Sequence, residues 1–190
     1  NDGLQTTTGR LDIADDAKVF VTRSLLVDDD AQTARNSVLN ISGGSTLIGV
    51  DLRIGQNAED SSVSAFNMSG GVVQTGVTSA NADVIVSVND AAVMNMTGGT
   101  LSTPDRFRVA LNANANGTAN ISGGFLNVAD LIDMGLGSFG NAAINISDNA
   151  FIRAGTDGAA LGGLIINSNA AGSSTVNLTM TGGILEIDRL

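Results

Sequence analysis

Asn40-Ile41-Ser42-Gly43-Gly44 decides how this chain folds, because the same phrase keeps returning. It recurs as Asn67-Met68-Ser69-Gly70-Gly71, Asn95-Met96-Thr97-Gly98-Gly99, Asn120-Ile121-Ser122-Gly123-Gly124 and Thr179-Met180-Thr181-Gly182-Gly183. Two looser copies, Leu11-Asp12-Ile13-Ala14-Asp15-Asp16 and Asn145-Ile146-Ser147-Asp148-Asn149, keep the alternation and lose the glycines. From Asp12 through Asn40, Asn67, Asn95, Asn120 and Asn145 to Thr179 the steps are 28, 27, 28, 25, 25 and 34 residues. A period in this range marks a solenoid, in which each repeat buries its apolar face only by stacking on its neighbours.

Each repeat resolves into three short alternating runs. They fall at 11–14, 18–21 and 24–27 in the first copy, at 38–42, 46–49 and 51–54 in the second, and at 119–122, 125–128 and 131–134 in the fifth. In the first run Leu11, Leu39, Phe66, Met94, Ala119, Ile144 and Leu178 share one side with Ile13, Ile41, Met68, Met96, Ile121, Ile146 and Met180. Strand side chains alternate, so the residues between them (Asp12, Asn40, Asn67, Asn95, Asn120, Asn145, Thr179) point outward. The next outward column is Ala14, Ser42, Ser69, Thr97, Ser122, Ser147 and Thr181. Gly-Gly then turns the corner, and Asp148-Asn149 substitutes for it because Asp and Asn tolerate left-handed backbone. The second run adds Val19, Val73, Leu101, Leu126, Ile152 and Leu185 to the bore. The third adds Leu25, Leu52, Phe107, Ile132 and Leu164.

The expected fold is all-β: a three-faced parallel β-helix of about seven turns of 25–28 residues, spanning 1–190 as one domain and roughly 30 Å long. Two stretches, 76–82 and 155–162, read as bulged surface loops. Hydrophobic content of 43% with 3% aromatic residues, no Trp and no Tyr implies a narrow aliphatic core.

Charge narrows the partners. Nine basic residues against 19 acidic ones give −10, with no basic stripe, so nucleic acid is not an expected partner. No apolar run reaches the ~18 residues of a membrane span, so no membrane insertion is expected. The chain has no Cys and no His, which removes thiol chemistry and Cys-ligated zinc. Asn1 reads as a processed or artificially set terminus.

The phrase of polar-apolar-Ser/Thr-Gly-Gly, carried on through Leu52-Arg53-Ile54-Gly55, resembles the repeats of large secreted bacterial proteins. These are autotransporter-type passenger domains and the repeat-rich exported proteins with a PEP-CTERM sorting tail. The likeness covers residues 10–190. It implies a β-solenoid on the cell surface or outside the cell, and carries over no catalytic residue.

Parallel β-helices also host polysaccharide-cleaving enzymes, which need clustered carboxylates for acid–base work. The residues to weigh are Asp28-Asp29-Asp30, Glu59-Asp60, Asp133, Arg53 and Arg108. Aligned repeats put Arg108 next to Asp133 and Arg153 next to Glu186, which reads as two inter-turn salt bridges on an exposed face. The acidic run at 28–30 lacks a calcium-loop pattern and reads as a solvated loop, so no metal and no cofactor is expected. The Asn-x-Ser/Thr phrases match glycosylation sequons, a match that follows from the repeat itself.

The candidate ligand-binding residues are therefore the outward ladder: Asn40, Ser42, Asn67, Ser69, Asn95, Thr97, Asn120, Ser122, Asn145 and Ser147. Such a flat array can meet sugar hydroxyls or ordered water, and stacked amides also stabilise a solenoid with no ligand. The expected function is a non-enzymatic extracellular structural or adhesive solenoid. A polysaccharide-binding module of a secreted enzyme is the alternative, and a water-ordering surface comes third. The last repeat has no third run, while residues 2–6 precede the first complete one. The expected partner is another copy joined end to end, so that residues 2–6 of one complete the last turn of the next, or a surface polysaccharide.

Overall fold

In the computed structural model, residues 9–28, 36–56, 63–137, 139–155, 163–166 and 174–188 are described. In chain order the strands are β1 (Arg10–Ile13), β2 (Lys18–Val21), β3 (Leu25–Val27), β4 (Val38–Ile41), β5 (Ser45–Ile48), β6 (Leu52–Ile54), β7 (Val63–Met68), β8 (Val72–Gln74) and β9 (Val84–Val86). They continue with β10 (Ala91–Thr103), β11 (Phe107–Val109), β12 (Asn116–Val128), β13 (Leu131–Met134), β14 (Asn141–Ile146), β15 (Phe151–Ala154), β16 (Gly163–Ile166), β17 (Thr175–Met180) and β18 (Ile184–Ile187). No helix occurs among the described residues, and so none long and apolar enough to cross a membrane.

Every strand pairs in parallel with its equivalent one repeat away. The first face stacks in the order β1-β4-β7-β10-β12-β14-β17, and the third as β16-β13-β11-β9-β6-β3. This is the parallel β-solenoid expected from the phrase. It makes about five turns, not seven. Counting phrases counts rungs, and the first face has seven of them. Among the described strands of that face, only the five between the first and the last have a neighbour on both sides.

The inward columns run as the alternation requires. Leu11, Leu39, Phe66, Met94, Ala119, Ile144 and Leu178 are register partners in turn. So are Val19, Thr46, Val73, Leu101, Leu126, Ile152 and Leu185, where Thr46 fills the place of an aliphatic residue. Val84 completes the third column between Leu52 and Phe107. One interior layer consists of Ala119, Ile121, Leu126, Val128, Ile132 and Met134, all buried. Each large aliphatic group gains about 1.5–3 kcal/mol on burial. Ordering the backbone costs about 1–2 kcal/mol per residue, over some 25 residues per layer, so no layer is stable alone.

The Gly-Gly corner works through two different constraints. The second glycine takes positive φ, +75° at Gly71 and +80° at Gly124. The first does not, but a Cβ on Gly70 would lie 2.4 Å from the Ser42 carbonyl oxygen of the neighbouring turn. Copies without glycine pay with length. Asp15 (φ 54°) and Asp148 (φ 50°) take the left-handed position, and an additional residue lengthens the corner. Turn bonds from Ala17 N–H to the Ala14 carbonyl (3.1 Å) and from Ala150 N–H to the Ser147 carbonyl (3.2 Å) close it. At two rungs β10 and β12 run through the corner as single 13-residue strands.

The third face departs from the alternation. It is not a simple exposed one: outward Ile85 and Asp133 are buried along with the rest of β9 and β13. Ile85 sits in register between Arg53 and Arg108, and the stems of such long side chains can cover an apolar neighbour. The stretch 76–82 is a largely exposed loop, as expected, and its start is tied to the preceding turn. Gly76, Val77 and Thr78 donate backbone bonds of 3.0–3.1 Å to the carbonyls of Val50, Ile48 and Gly49. Most of 155–162, the acidic pairs Asp29-Asp30 and Glu59-Asp60, and residues 2–6 lie outside the described residues.

Candidate binding surface

The ten ladder residues come together on the first face, in register. Their amides bond to one another up the stack. Nδ2 of Asn40 donates to Asp12 Oδ1 (2.7 Å), Asn67 to Asn40 (2.9 Å), Asn95 to Asn67 (2.8 Å), Asn120 to Asn95 (2.9 Å) and Asn145 to Asn120 (2.9 Å). An amide has two donors and two acceptor sites, so each interior Asn keeps one N–H and one lone pair for the outside. Asp12 ends the run. Its carboxylate takes hydrogen bonds from Arg10 first and from Asn40, which hold it below the ordinary carboxylate range.

The hydroxyl column beside it is less regular than the alternation implies. Ser42, Ser69 and Thr97 are exposed, whereas Ser122 and Ser147 are half-buried. The register slips at the corner, where Thr97 pairs with Gly123 rather than Ser122. A depression of about 230 Å³ lies over Asn40, Ser42, Asn67, Ser69, Asn95 and Thr97, and extends no further along the ladder. The expected flat array is thus continuous in its amides and stepped in its hydroxyls.

Further amide stacks, not read from the phrase, lie where the chain returns from the third face to the first. Asn141 donates to Asn116 Oδ1 (2.6 Å), Asn112 to Asn89 Oδ1 (2.6 Å) and Asn89 to the Gln56 carbonyl (2.6 Å). The signal for one was present: Asn116 and Asn141 both stand four residues before a ladder Asn.

Ring stacking on the second face uses the ring faces. Phe125 and Phe151 lie on adjacent rungs with centroids 5.1 Å apart and planes at 21°, and the Arg153 guanidinium carbon is 5.8 Å from the Phe151 centroid. Rings stacked along the axis turn their edges outward. The pair is therefore a rung-to-rung contact and a poor platform for a sugar.

The charged candidates form turn-to-turn ties. Arg153 meets Glu186 at 2.8 Å on the exposed second face, as the alignment implied. The other expected pair is altered: Arg108 and Asp133 are register partners, but Arg108 Nε lies 3.3 Å from Asp83 and Asp133 is 4.0 Å from Arg106. Asp133 is 3% exposed, so this is not an exposed-face pair. Asp83 and Asp51, which sequence reasoning passed over, sit just before the third strand in successive repeats. Asp51 Oδ1 accepts the Asp83 N–H (2.9 Å), and Asp83 Oδ1 accepts the Arg106 N–H (3.0 Å). Arg53 pairs with Asp51 at 2.6 Å. Asp28 is buried and accepts from the Ser64 hydroxyl (3.1 Å), so it is no solvated loop residue. Among the described residues no three acidic side chains come together as a metal-binding group.

Burial pushes Asp83 up to about 6, against the opposing charge of Arg108 and the Arg106 N–H. Burial also raises Asp105, with Arg106 opposing and Asp130 adding to the shift. The folded state therefore holds a proton on Asp83 that the unfolded chain releases. That contribution to stability is full below the unfolded value of 3.8 and is lost as pH rises through about 6. Melting temperature is expected to rise as pH is lowered from neutral through that range. Asp83→Asn is expected to flatten the rise, and a melting temperature that falls over the same interval contradicts the assignment.

The ladder makes a milder prediction. Asn120→Ala removes two amide bonds at a half-buried site where water replaces them, and is expected to cost under ~1 kcal/mol in a thermal melt.

Comparison of the chain with protein-family models, curated proteins and solved structures returns no significant match.

Proposed function

We propose that the chain is a non-enzymatic structural rod, a segment of an extracellular surface protein or filament of the kind its repeats resemble. One observation carries this reading: the outward polar groups are spent on each other, turn to turn. Five amide bonds run along the first face, and carboxylates at the third-face corner cap the next turn's backbone. Groups committed to such bonds stiffen the stack and are poorly placed to release a ligand. Arg53, Arg108 and Asp133, three of the residues weighed for catalysis, lie within that network.

A panel of acidic and neutral polysaccharides tests the reading. No cleavage is expected. A cleaving activity that disappears in an Arg53→Ala, Arg108→Ala, Asp133→Asn variant overturns it.

The depression over Asn40–Thr97 favours a second reading, an adhesive strip that meets polysaccharide hydroxyls through Ser42, Ser69 and Thr97. Glycan binding by the parent, lost in Ser42→Ala, Ser69→Ala, Thr97→Val, selects it over a purely structural role. Binding unaffected by those changes rules the strip out.

A further inference from the structure

We propose that Asn116-Gly117 is a self-modification site, at which the Gly117 main-chain nitrogen displaces ammonia from the Asn116 side chain when the start of β12 opens. It is the one Asn-Gly pair of the sequence. Attack of a main-chain nitrogen on the preceding Asn side chain is hindered by the side chain of the residue that carries the nitrogen. The five ladder asparagines are followed by Ile41, Met68, Met96, Ile121 and Ile146, whose bulk screens that nitrogen. Asn116 is followed by no side chain at all.

The fold requires both members of the pair. Gly117 is buried in a narrow inward column with Ser64, Ala92 and Ala142. A Cβ there would stand 2.7 Å from Val109 Cγ1, 2.7 Å from the Val86 carbonyl oxygen and 3.0 Å from Ala110 N, so no larger residue fits. Asn116 is exposed and tied twice. Its Oδ1 accepts from Asn141 Nδ2 (2.6 Å), and its Nδ2 donates to the Asn114 carbonyl (3.0 Å). Packing thus keeps the glycine, and amide bonding keeps the asparagine.

The same contacts hold the reaction back. Asn116 and Asn141 are register partners, with Asn141 N–H on the Ala115 carbonyl (2.9 Å), so the parallel ladder sets Gly117 N–H on the Asn141 carbonyl. Asn141 therefore holds both the attacking nitrogen and the side chain it attacks. Asn116 is the first residue of β12, and it follows a turn in which Asn114 has φ 64°. A strand start beside a turn opens at less cost than a strand centre, and opening here frees both groups together.

In the reaction the Gly117 nitrogen gives up its proton and bonds to Asn116 Cγ. The Cγ–Nδ2 bond breaks and ammonia leaves, with a cyclic imide behind it. Water then opens the imide at either carbonyl, and nothing is oxidised or reduced. Opening at Cγ gives aspartate, which still accepts from Asn141 but turns a carboxylate on the Asn114 carbonyl that the amide had donated to. Opening at the main-chain carbonyl gives isoaspartate, whose additional main-chain carbon displaces β12 from its register with β10 and β14. Both products weaken the joint between these repeats.

Peptide mapping after incubation at mildly alkaline pH tests the proposal, with the full chain folded and in urea. In urea, aspartate and isoaspartate are expected several-fold faster at 116 than at Asn120, and Gly117→Ala is expected to remove the difference. In the folded protein, conversion at 116 is expected to be at least about tenfold slower than in urea, because only opened molecules react. Asn141→Ala is expected to speed the folded-state reaction several-fold and to leave the rate in urea unchanged. Asn145→Ala, which removes one amide bond elsewhere on the same strand, is the control and is expected not to speed it. Three results each overturn the proposal: conversion in urea no faster at 116 than at Asn120, a folded rate equal to the urea rate, or no gain in Asn141→Ala over Asn145→Ala.

Discussion

Ile121→Asp is expected to lower the melting temperature by on the order of 10–20 °C. Ile121 is 1% exposed and lies in register between Met96 and Ile146, so its replacement has no water and no cation to meet. An uncompensated buried charge costs about 3–5 kcal/mol, and the lost aliphatic volume adds to it. A chain of this size loses about 2–4 °C per kcal/mol. Asn120→Ala, one residue away and outward, is the control, with a loss under ~1 kcal/mol. Equal losses in the two melts would mean that the strand's inward and outward sides are exchanged, since a one-residue slip inverts both columns.

Gly71→Ala is expected to cost several kcal/mol, far more than the addition of a methyl group suggests. Gly71 has φ +75°, which costs an L-residue about 1–3 kcal/mol. Its new Cβ would also stand 2.4 Å from the Gly43 carbonyl oxygen and 2.9 Å from that of Gly44, both backbone atoms of the adjoining turn. Overpacking against groups that cannot rotate away adds about 1–3 kcal/mol. Because a solenoid transmits stability only between neighbours, the damage falls on the joint between the second and third repeats. Urea unfolding measures it, and a biphasic transition is the expected form. A loss below ~1 kcal/mol would show that this corner opens as those at Asp15 and Asp148 do, where one additional residue relieves the crowding.

Much of this was legible in the linear sequence because a solenoid places in contact what the period separates. The spacing of Asp12, Asn40, Asn67, Asn95, Asn120 and Asn145 predicted their register, and alternation predicted which neighbours point inward. Even the substitute for Gly-Gly at Asp148 followed from backbone preference. All of these depend on one residue and its period.

Other features depend on how repeats of unequal length settle against one another. The third face is such a case: Asp133 is an outward residue by alternation, yet buried, and Arg108 reaches Asp83 in the preceding repeat. The Asp51–Asp83–Arg106 capping chain joins residues 32 and 23 positions apart, spacings that differ from each other and from the phrase's own steps. The hydroxyl column steps sideways at Thr97 because the corner shifts the register by one residue. Periodicity determined the columns of this protein. The corners, where side chains of one repeat choose among backbone groups of the next, were decided only when the turns packed.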